Sequence, residues 1–326
     1  MEETGVTTIS GTNNWRLTVR REDASVTILR AVTCDTRAAL PDMLFDLPVT
    51  ALSDHALAPN AANIAGEEVC ITCGVAQGEW DNRNLRELTL PEMLASVGDY
   101  ALFNCRSLET LCLHDGVSHW GGGVLMNCRS LDRIVLTRVG GVQGESLAYF
   151  ADELSRELDV SIFEADGSET RVVFPEYIED FEENGPAHHF DYTIYGAGHP
   201  YHHVFRGKAL YLTDYDALWE RFLSAAHEEG AALKLAWYRL RYPRELATWA
   251  REQYEAYLRT HAPEALRFVL EQRDMAGLRQ LLTVLDGMPL GEALSFAREE
   301  RMTEATAILL ERQHRQSSGA SKSFDL

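Results

Sequence analysis

Leu85, Leu108 and Leu131 stand 23 residues apart, as do Leu88, Leu111 and Ile134, then Leu90, Leu113 and Leu136, then Cys105 with Cys128. One register held through several positions is the mark of a solenoid. Each copy is too small to bury its apolar side chains alone, so it buries them against its neighbours. This repeat constrains the fold more than any other part of the chain. It predicts stacked coils, and by itself it says little about what the chain binds.

Within a clear copy the strand is short and alternates. Period two turns Leu88 and Leu90, Leu111 and Leu113, and Ile134 and Leu136 inward. It turns Glu87, Thr89, Thr110, Cys112, His114, Arg133, Val135 and Thr137 outward on the strand sheet. Val97, Tyr100 to Phe103, Trp120 and Val124 to Met126 close the coil from the other side, and Gly121-Gly-Gly123 aligns with Gly98 as a turn. An irregular copy precedes these. Leu40-Pro41 matches Leu90-Pro91 at an offset of 50, and Leu52 to Leu57 matches Val97 to Leu102 at an offset of 45. A further degenerate copy is expected through Glu68 to Cys73.

Trp15 to Arg20 and Ser25 to Arg30 alternate around a polar turn and predict an amino-terminal hairpin. Gly144 to Leu158 has helical spacing. Val160 to Phe163 and Arg171 to Phe174 flank Asp166-Gly167, a favoured hairpin turn. From Glu164 to Glu183 there are eight acids and one base, which suggests a boundary. From Leu212 the period becomes helical: Thr213-Asp-Tyr-Asp216 has the form of a capping box, and Pro243, Pro263 and Pro289 each precede a helical pattern. Short amphipathic segments at 263–271, 274–285, 289–300 and 303–312, with brief connections, predict a helical array. The Ser-rich residues 316–326 are expected to be disordered.

The pattern Leu-x-x-Leu-x-Leu-Pro-x-x-Leu-x-x-Val-Gly-x-x-Ala-Leu-x-Asn-Cys at Leu85 to Cys105 resembles the BspA-like leucine-rich-repeat family of bacteria over roughly residues 30–140. That resemblance implies a curved solenoid used for protein contacts and brings no catalytic residues with it. Residues 263–313 look weakly like ankyrin-type helix pairs, from which only helix pairing carries over. The expected fold class is α+β: a short leucine-rich-repeat solenoid capped by β-hairpins over 1–175, an aromatic and histidine-rich connection over 176–211, an all-α helical-hairpin domain over 212–315 and the tail.

Charge narrows the partners. Acids outnumber bases 23 to 12 in residues 1–160 and 27 to 18 in the rest, for a net charge of −20. Such a chain repels phosphate backbones, which argues against nucleic acid. No apolar run approaches the roughly 20 residues that span a bilayer, and Met1-Glu-Glu-Thr-Gly-Val has neither the basic nor the apolar region of a signal peptide, so a cytoplasmic location without membrane contact is expected. All six cysteines fall within the first 128 residues, and the repeat-borne ones read as small buried hydrophobes rather than a disulfide framework.

Candidate chemistry is sparse. Ala187 to Phe205 holds five of the eleven histidines, and His188, His189, His199, His202 and His203 together with Asp191 could ligate a transition metal. No recognised zinc spacing occurs, and the alternative reading is an aromatic segment anchored by Phe190, Tyr192, Tyr195, Tyr201 and Phe205. Cys70-Ile-Thr-Cys73 lacks a second such pair and reads as strand-borne cysteines. The arginine and aromatic run from Ala236 to Ala250 reads as helical core. No phosphate loop, dinucleotide fingerprint or serine elbow is present. The expectation is therefore a non-enzymatic protein-interaction module without a cofactor. It would bind a protein partner through Thr89, Thr110, Cys112, His114, Arg133 and Thr137 and through the junction with the helical domain. Alternatives are a metal or ligand site in the histidine segment, or an enzyme whose site is assembled between the domains.

Overall fold

The computed structural model describes residues 7–321 except 63, 77, 139, 141–143 and 185–188, and omits the side chains of 183, 184, 189, 190 and 318–321. The chain forms two compact units, Met1–Ala226 and His227–Leu326. Both belong to a mixed α+β protein.

The first unit opens with β1 (Thr7–Ser10), β2 (Trp15–Arg21) and β3 (Val26–Thr33), the last two forming the predicted antiparallel hairpin with a register shift at Thr18/Val19. Short strands follow: β4 (Arg37–Ala39), β5 (Met43–Leu44), β6 (Leu47–Leu52) and β7 (Glu67–Thr72). Then comes the regular stretch of β8 (Glu87–Thr89), β9 (Ser96–Val97), β10 (Thr110–His114), β11 (His119–Trp120) and β12 (Arg133–Thr137). Strands repeating at a fixed interval pair with their own equivalents, and two parallel ladders result. In one, Ala38 lies opposite Leu88, Leu88 opposite Leu111, and Leu111 opposite Ile134. In the other, Leu52 lies opposite Val97, and Val97 opposite Trp120. The 50- and 45-residue offsets read from the sequence are thus real pairings.

The expected copy through Glu68 to Cys73 is not a coil. β7 instead lies parallel to β1 and antiparallel to β2, extending the amino-terminal sheet. Val69 and Ile71 point inward as a coil strand's residues would, so the alternation could not distinguish the two placements.

Three side-chain devices recur from copy to copy. Gly98 and Gly121 sit where a Cβ would come 2.5 Å from the backbone nitrogen of Asp54 and Asp99 respectively, so the turns approach too closely for any side chain. Asp54 Oδ1 accepts the Asp99 N–H at 2.9 Å, and Asp99 Oδ1 accepts that of Gly122 at 2.8 Å. The buried thiols of Cys105 and Cys128 donate to the carbonyls of Leu57 and Leu102 in the coil before, at 3.5 and 3.2 Å. Each coil is therefore tied to its neighbour by polar groups as well as by its leucines.

After β12 the helix α1 (Ser146–Glu153) is shorter than its apolar spacing predicts, because the backbone is already extended at Leu154. Its Tyr149 hydroxyl donates to Gly121 O at 3.0 Å and accepts from Val124 N–H at 3.3 Å, while the ring stacks on Trp120 at 5.0 Å. β13 (Leu158–Phe163) adds parallel to β12, and β14 (Glu169–Phe174) turns back antiparallel through Gly167, whose φ of 81° suits glycine. The sheet order is β14-β13-β12-β10-β8-β4.

Composition places a boundary near 175 and a helical domain from 212, but the division lies at Ala226/His227. The hairpin of β15 (Ile178–Asn184) and β16 (His189–Tyr195), the helix α2 (His199–His202), the hairpin of β17 (Phe205–Arg206) and β18 (Ala209–Leu210), and the helices α3 (Leu212–Ala217) and α4 (Trp219–Ser224) all belong to the first unit. The physical reason is visible at Tyr215. Its hydroxyl donates to Val173 O at 2.6 Å and accepts from Val173 N–H at 3.0 Å, pinning α3 to strand β14. The capping box read at Thr213 is absent, since α3 starts at Leu212 without a side-chain cap and Asp216 is a buried residue inside it.

The second unit consists of α5 (Glu229–Arg241), α6 (Thr248–Thr260), α7 (Ala262–Glu271), α8 (Met275–Val284), α9 (Gly291–Glu299) and α10 (Thr303–Ser321). α5 packs on α6, α7 on α8 and α9, and α9 on α10. Trp237, Tyr238, Arg239 and Leu240 are buried, as the core reading expects, whereas Trp249 is exposed. α10 continues through Gln316 to Ser321, so the tail predicted to be disordered begins as helix; adding residues to a helix already docked needs only propagation, not nucleation. Residues 322–326 lie outside the described residues.

Candidate interaction face

The outward side chains of the first ladder form three rows in register. Arg37, Glu87, Thr110, Arg133 and Asp159 make the first row, and Ala39, Thr89, Cys112, Val135 and Ser161 the second. His114, Thr137 and Phe163 make the third. Neighbouring strands are about 4.8 Å apart, so each row is a line of side chains at that pitch. The inward leucines beneath are buried, which fixes the register and therefore the face. From β4 to β12 every outward residue is half-exposed or exposed; at β13 and β14 the face closes, with Ser161 and Val173 buried.

All six residues singled out by alternation, Thr89, Thr110, Cys112, His114, Arg133 and Thr137, thus lie on one surface. Arg37, an ion-pair partner of Glu87 at 3.6 Å, extends it and lies outside the clear repeats. Cys112 sits at the centre. Burial raises its thiol pKa and the Glu87 carboxylate adds to the rise, against smaller opposing effects of Thr89 and Arg133, so the group stays a neutral thiol. The His114 Nδ1 is shielded and finds no hydrogen-bond partner among the described residues. The face offers hydroxyls, one thiol and charges of both signs, a surface for hydrogen bonding rather than for apolar burial.

The histidine segment is dispersed. His188 lies outside the described residues, and His189 is placed only as a backbone position in β16. His199 and His203 stack at 4.0 Å, and His203 Nδ1 faces the His199 carbonyl. His202 is buried with Nδ1 2.9 Å from Ala151 O and Nε2 3.0 Å from Pro175 O; both oxygens are acceptors, so the neutral ring donates to one of them and only the protonated ring to both. Burial holds its pKa below the ordinary imidazole value although both carbonyls pull the other way. No group of three or more His, Cys, Asp or Glu side chains among the described residues is arranged to hold a metal ion. The aromatic anchors divide too. Tyr201 is buried and Phe205 stacks on Phe174 at 5.9 Å, but Tyr192 and Tyr195 are more than half exposed, with Ile178 and Phe181 exposed opposite them on the hairpin. Cys70 and Cys73 are strand-borne or adjacent, half-buried and exposed respectively, and free.

A buried ionic row runs beneath the end of the strand face. Asp115, Arg138 and Glu164 follow β10, β12 and β13, with Arg138 Nη1 2.7 Å from Glu164 and Nε 3.8 Å from Asp115. Asp115 also accepts the Gly144 N–H at 2.8 Å, holding the start of the segment that leads into α1. The signal was there: each residue stands two positions after an inward Leu113, Leu136 or Ile162, so period two turns it inward as well. Removing one member of such a row strands the others as buried charges, which is strongly destabilising. A cleft of 480 Å³ also opens beside the second ladder between Asp54, His55, Ala58, Ile64 and Phe103. Arg30, at its wall, is committed to the carbonyls of His55 and Ala58 at 3.2 and 2.6 Å.

No family model and no curated protein matches this chain. Among solved structures it is similar to the leucine-rich-repeat protein of T. pallidum, at 19% identity and a TM-score of 0.28 over 37% of this chain and 50% of that one. It is also similar to a leucine-rich cell surface protein from Faecalibacterium prausnitzii, at 16% identity and a TM-score of 0.27 over 49% of this chain and 43% of that one. The chain spans half or less of the length of these two proteins. No helix among the described residues is long and apolar enough to cross a membrane.

Proposed function

We propose that this chain is a non-enzymatic protein-interaction module, built as a short leucine-rich-repeat solenoid of the BspA-like kind with a hairpin at each end. Its partner is a protein that docks on the outward face of β4, β8, β10 and β12. The observation that carries this reading is the register: outward side chains, most of them polar, from four parallel strands fall into rows over an apolar floor of Ala38, Leu88, Leu111 and Ile134. A surface of that construction can vary its chemistry without touching its fold. Solenoids use extended faces in this way.

The test is a triple variant of the full chain, Thr110→Lys, Cys112→Lys and Arg133→Glu, compared with Arg279→Glu on the second unit. The proposal expects proteins captured by the native chain to be lost by the triple variant and kept by the control, with unchanged circular dichroism. Identical capture by all three proteins removes the strand face from consideration.

A further inference from the structure

The 480 Å³ cleft beside the second ladder carries in its wall a charge that the fold does not neutralise. Arg30 stands on β3, is only 9% exposed, and lines the cleft. Its Nη1 alone holds the turn after β6, donating to the carbonyls of His55, Ala56 and Ala58 at 3.2, 3.4 and 2.6 Å. Nε and Nη2 donate to no described residue, and neither is sealed from solvent. Since the residue is otherwise buried and lines the cleft, the cleft is where those nitrogens open. Arg30 forms no ion pair among the described residues; Asp81 acts on it through space but is itself paired with Arg83. The buried Arg138, by contrast, lies between Glu164 and Asp115. A buried guanidinium without a counter-ion is costly, and burial accordingly disfavours the Arg30 charge.

The rest of the wall is formed in advance. Ala58, Pro59, Ala61, Ile64 and Phe103 supply its apolar part, with the Phe103 ring edge-on to His55 at 6.4 Å. The turn that carries most of these residues is pinned from behind, where Leu57 O accepts from Asn82 Nδ2 at 2.7 Å and Ala56 O from the Ala31 N–H at 2.8 Å. We infer that this cleft binds a small organic monocarboxylate with an apolar body, its carboxylate on the Nε–Nη2 edge of Arg30 and its body against Pro59, Ile64 and Phe103. With Nη1 spent on carbonyls, that edge still presents two parallel N–H groups, the fork that receives both oxygens of a carboxylate. Asp54 in the same wall and the net charge of −20 disfavour a dianion such as a phosphate monoester. The volume falls within the roughly 300–1,000 Å³ of sites that take drug-sized ligands, so a body of one ring fits. The same chemistry is offered by a free carboxylic acid and by the carboxyl terminus of a protein ending in an aromatic residue. No wall residue belongs to β4, β8, β10 or β12, so failure here and failure of the interaction reading are separate results.

Calorimetric titration of the full chain with 3-phenylpropanoate, 3-phenylpropanamide and phenyl phosphate tests the inference. The peptide Gly-Gly-Gly-Phe is run with a free and with an amidated terminus. Each carboxylate is expected to bind about tenfold or more tightly than its amide, and the free acid about tenfold or more tightly than phenyl phosphate. Ala61→Trp, which fills the cleft and leaves Arg30 in place, should abolish binding. Arg30→Lys, which keeps the charge without the fork, should cut the preference for acid over amide several-fold. Circular dichroism checks that both variants fold; if Arg30→Lys does not, Ala61→Trp and the comparison of acid with amide decide. Tighter binding of the free acid than of the free-terminus peptide assigns the ligand to a metabolite, and the reverse order to a protein terminus. Equal binding of acid and amide, phenyl phosphate bound as tightly as the acid, or no binding of any carboxylate at millimolar concentration overturns the inference. So does unchanged binding by Ala61→Trp, or an unchanged preference in folded Arg30→Lys.

Discussion

Residues 85–137 and 176–226 belong to the same unit yet hold together by different means. The first stretch repeats one solution: a leucine floor, a glycine at the tight turn, an aspartate that accepts an N–H from the following coil and a cysteine that donates to the preceding one. The second stretch uses contacts that occur once. His202 bridges Ala151 and Pro175, and Tyr215 occupies both backbone groups of Val173. Periodic stability is spread over equivalent positions, whereas singular stability rests on individual polar atoms. The two stretches should therefore respond differently to substitution.

The largest effect is expected in the repeated part. Leu111 is fully buried between Leu88 and Ile134, and Leu111→Ala should lower stability by about 2–5 kcal/mol in urea unfolding. A loss under about 1 kcal/mol would mean that neighbouring rungs collapse into the gap and that the floor is softer than its packing implies. Next is Tyr215→Phe, which keeps the ring but leaves the Val173 N–H and carbonyl without their partner, at about 1–3 kcal/mol by the same measurement. If Tyr215→Phe exceeds Leu111→Ala, the contrast between spread and singular stability is inverted.

His202 supplies a pH signature. Its folded pKa lies below the ordinary imidazole value of 6.5 because burial disfavours the charged ring, so the neutral ring is the form the fold prefers. Its contribution is present above pH 6.5 and lost as pH falls through the folded pKa. Stability of the native chain should decline on acidification below about pH 6.5 more steeply than that of His202→Gln. Parallel pH profiles of the two proteins would show that the two carbonyls, not burial, set the ring's charge. Cys128 gives the alkaline counterpart: burial raises its thiol from 9.0 to about 12, so stability from this group is complete below pH 9 and lost between 9 and about 12. Alkylation at pH 8 should accordingly label exposed Cys73 well before Cys105 and Cys128. The smallest effect is at Arg133→Ala on the open face, where a change within about 0.5 kcal/mol is expected.

Legibility followed the same divide. The strand positions, inward leucines, outward six and irregular first copy were all readable, because repetition shows each position several times over. The ionic row Asp115, Arg138 and Glu164 is equally periodic but its residue types carry no sequence signal of burial, since charged residues are expected outside. The placement of β7 and the extent of the first unit to Ala226 were not readable. Each depends on a partner far along the chain, β1 for one and Val173 for the other, and no local pattern encodes a single long-range hydroxyl bond. The outward six residues are grouped by alternation alone.

The Tyr149 hydroxyl, donating to Gly121 O and accepting from Val124 N–H, has a consequence for growth. It occupies backbone groups on the outer side of the last regular coil, so it acts as a stop. Everything before that stop is indifferent to copy number, because a coil recognises only the one beneath it. Duplicating residues 106–128 in place, with Asp115→Asn in the first copy because that copy has no Arg138 beside it, should therefore lengthen the molecule by one unit step, leaving both ends intact and widening the open face by a single strand.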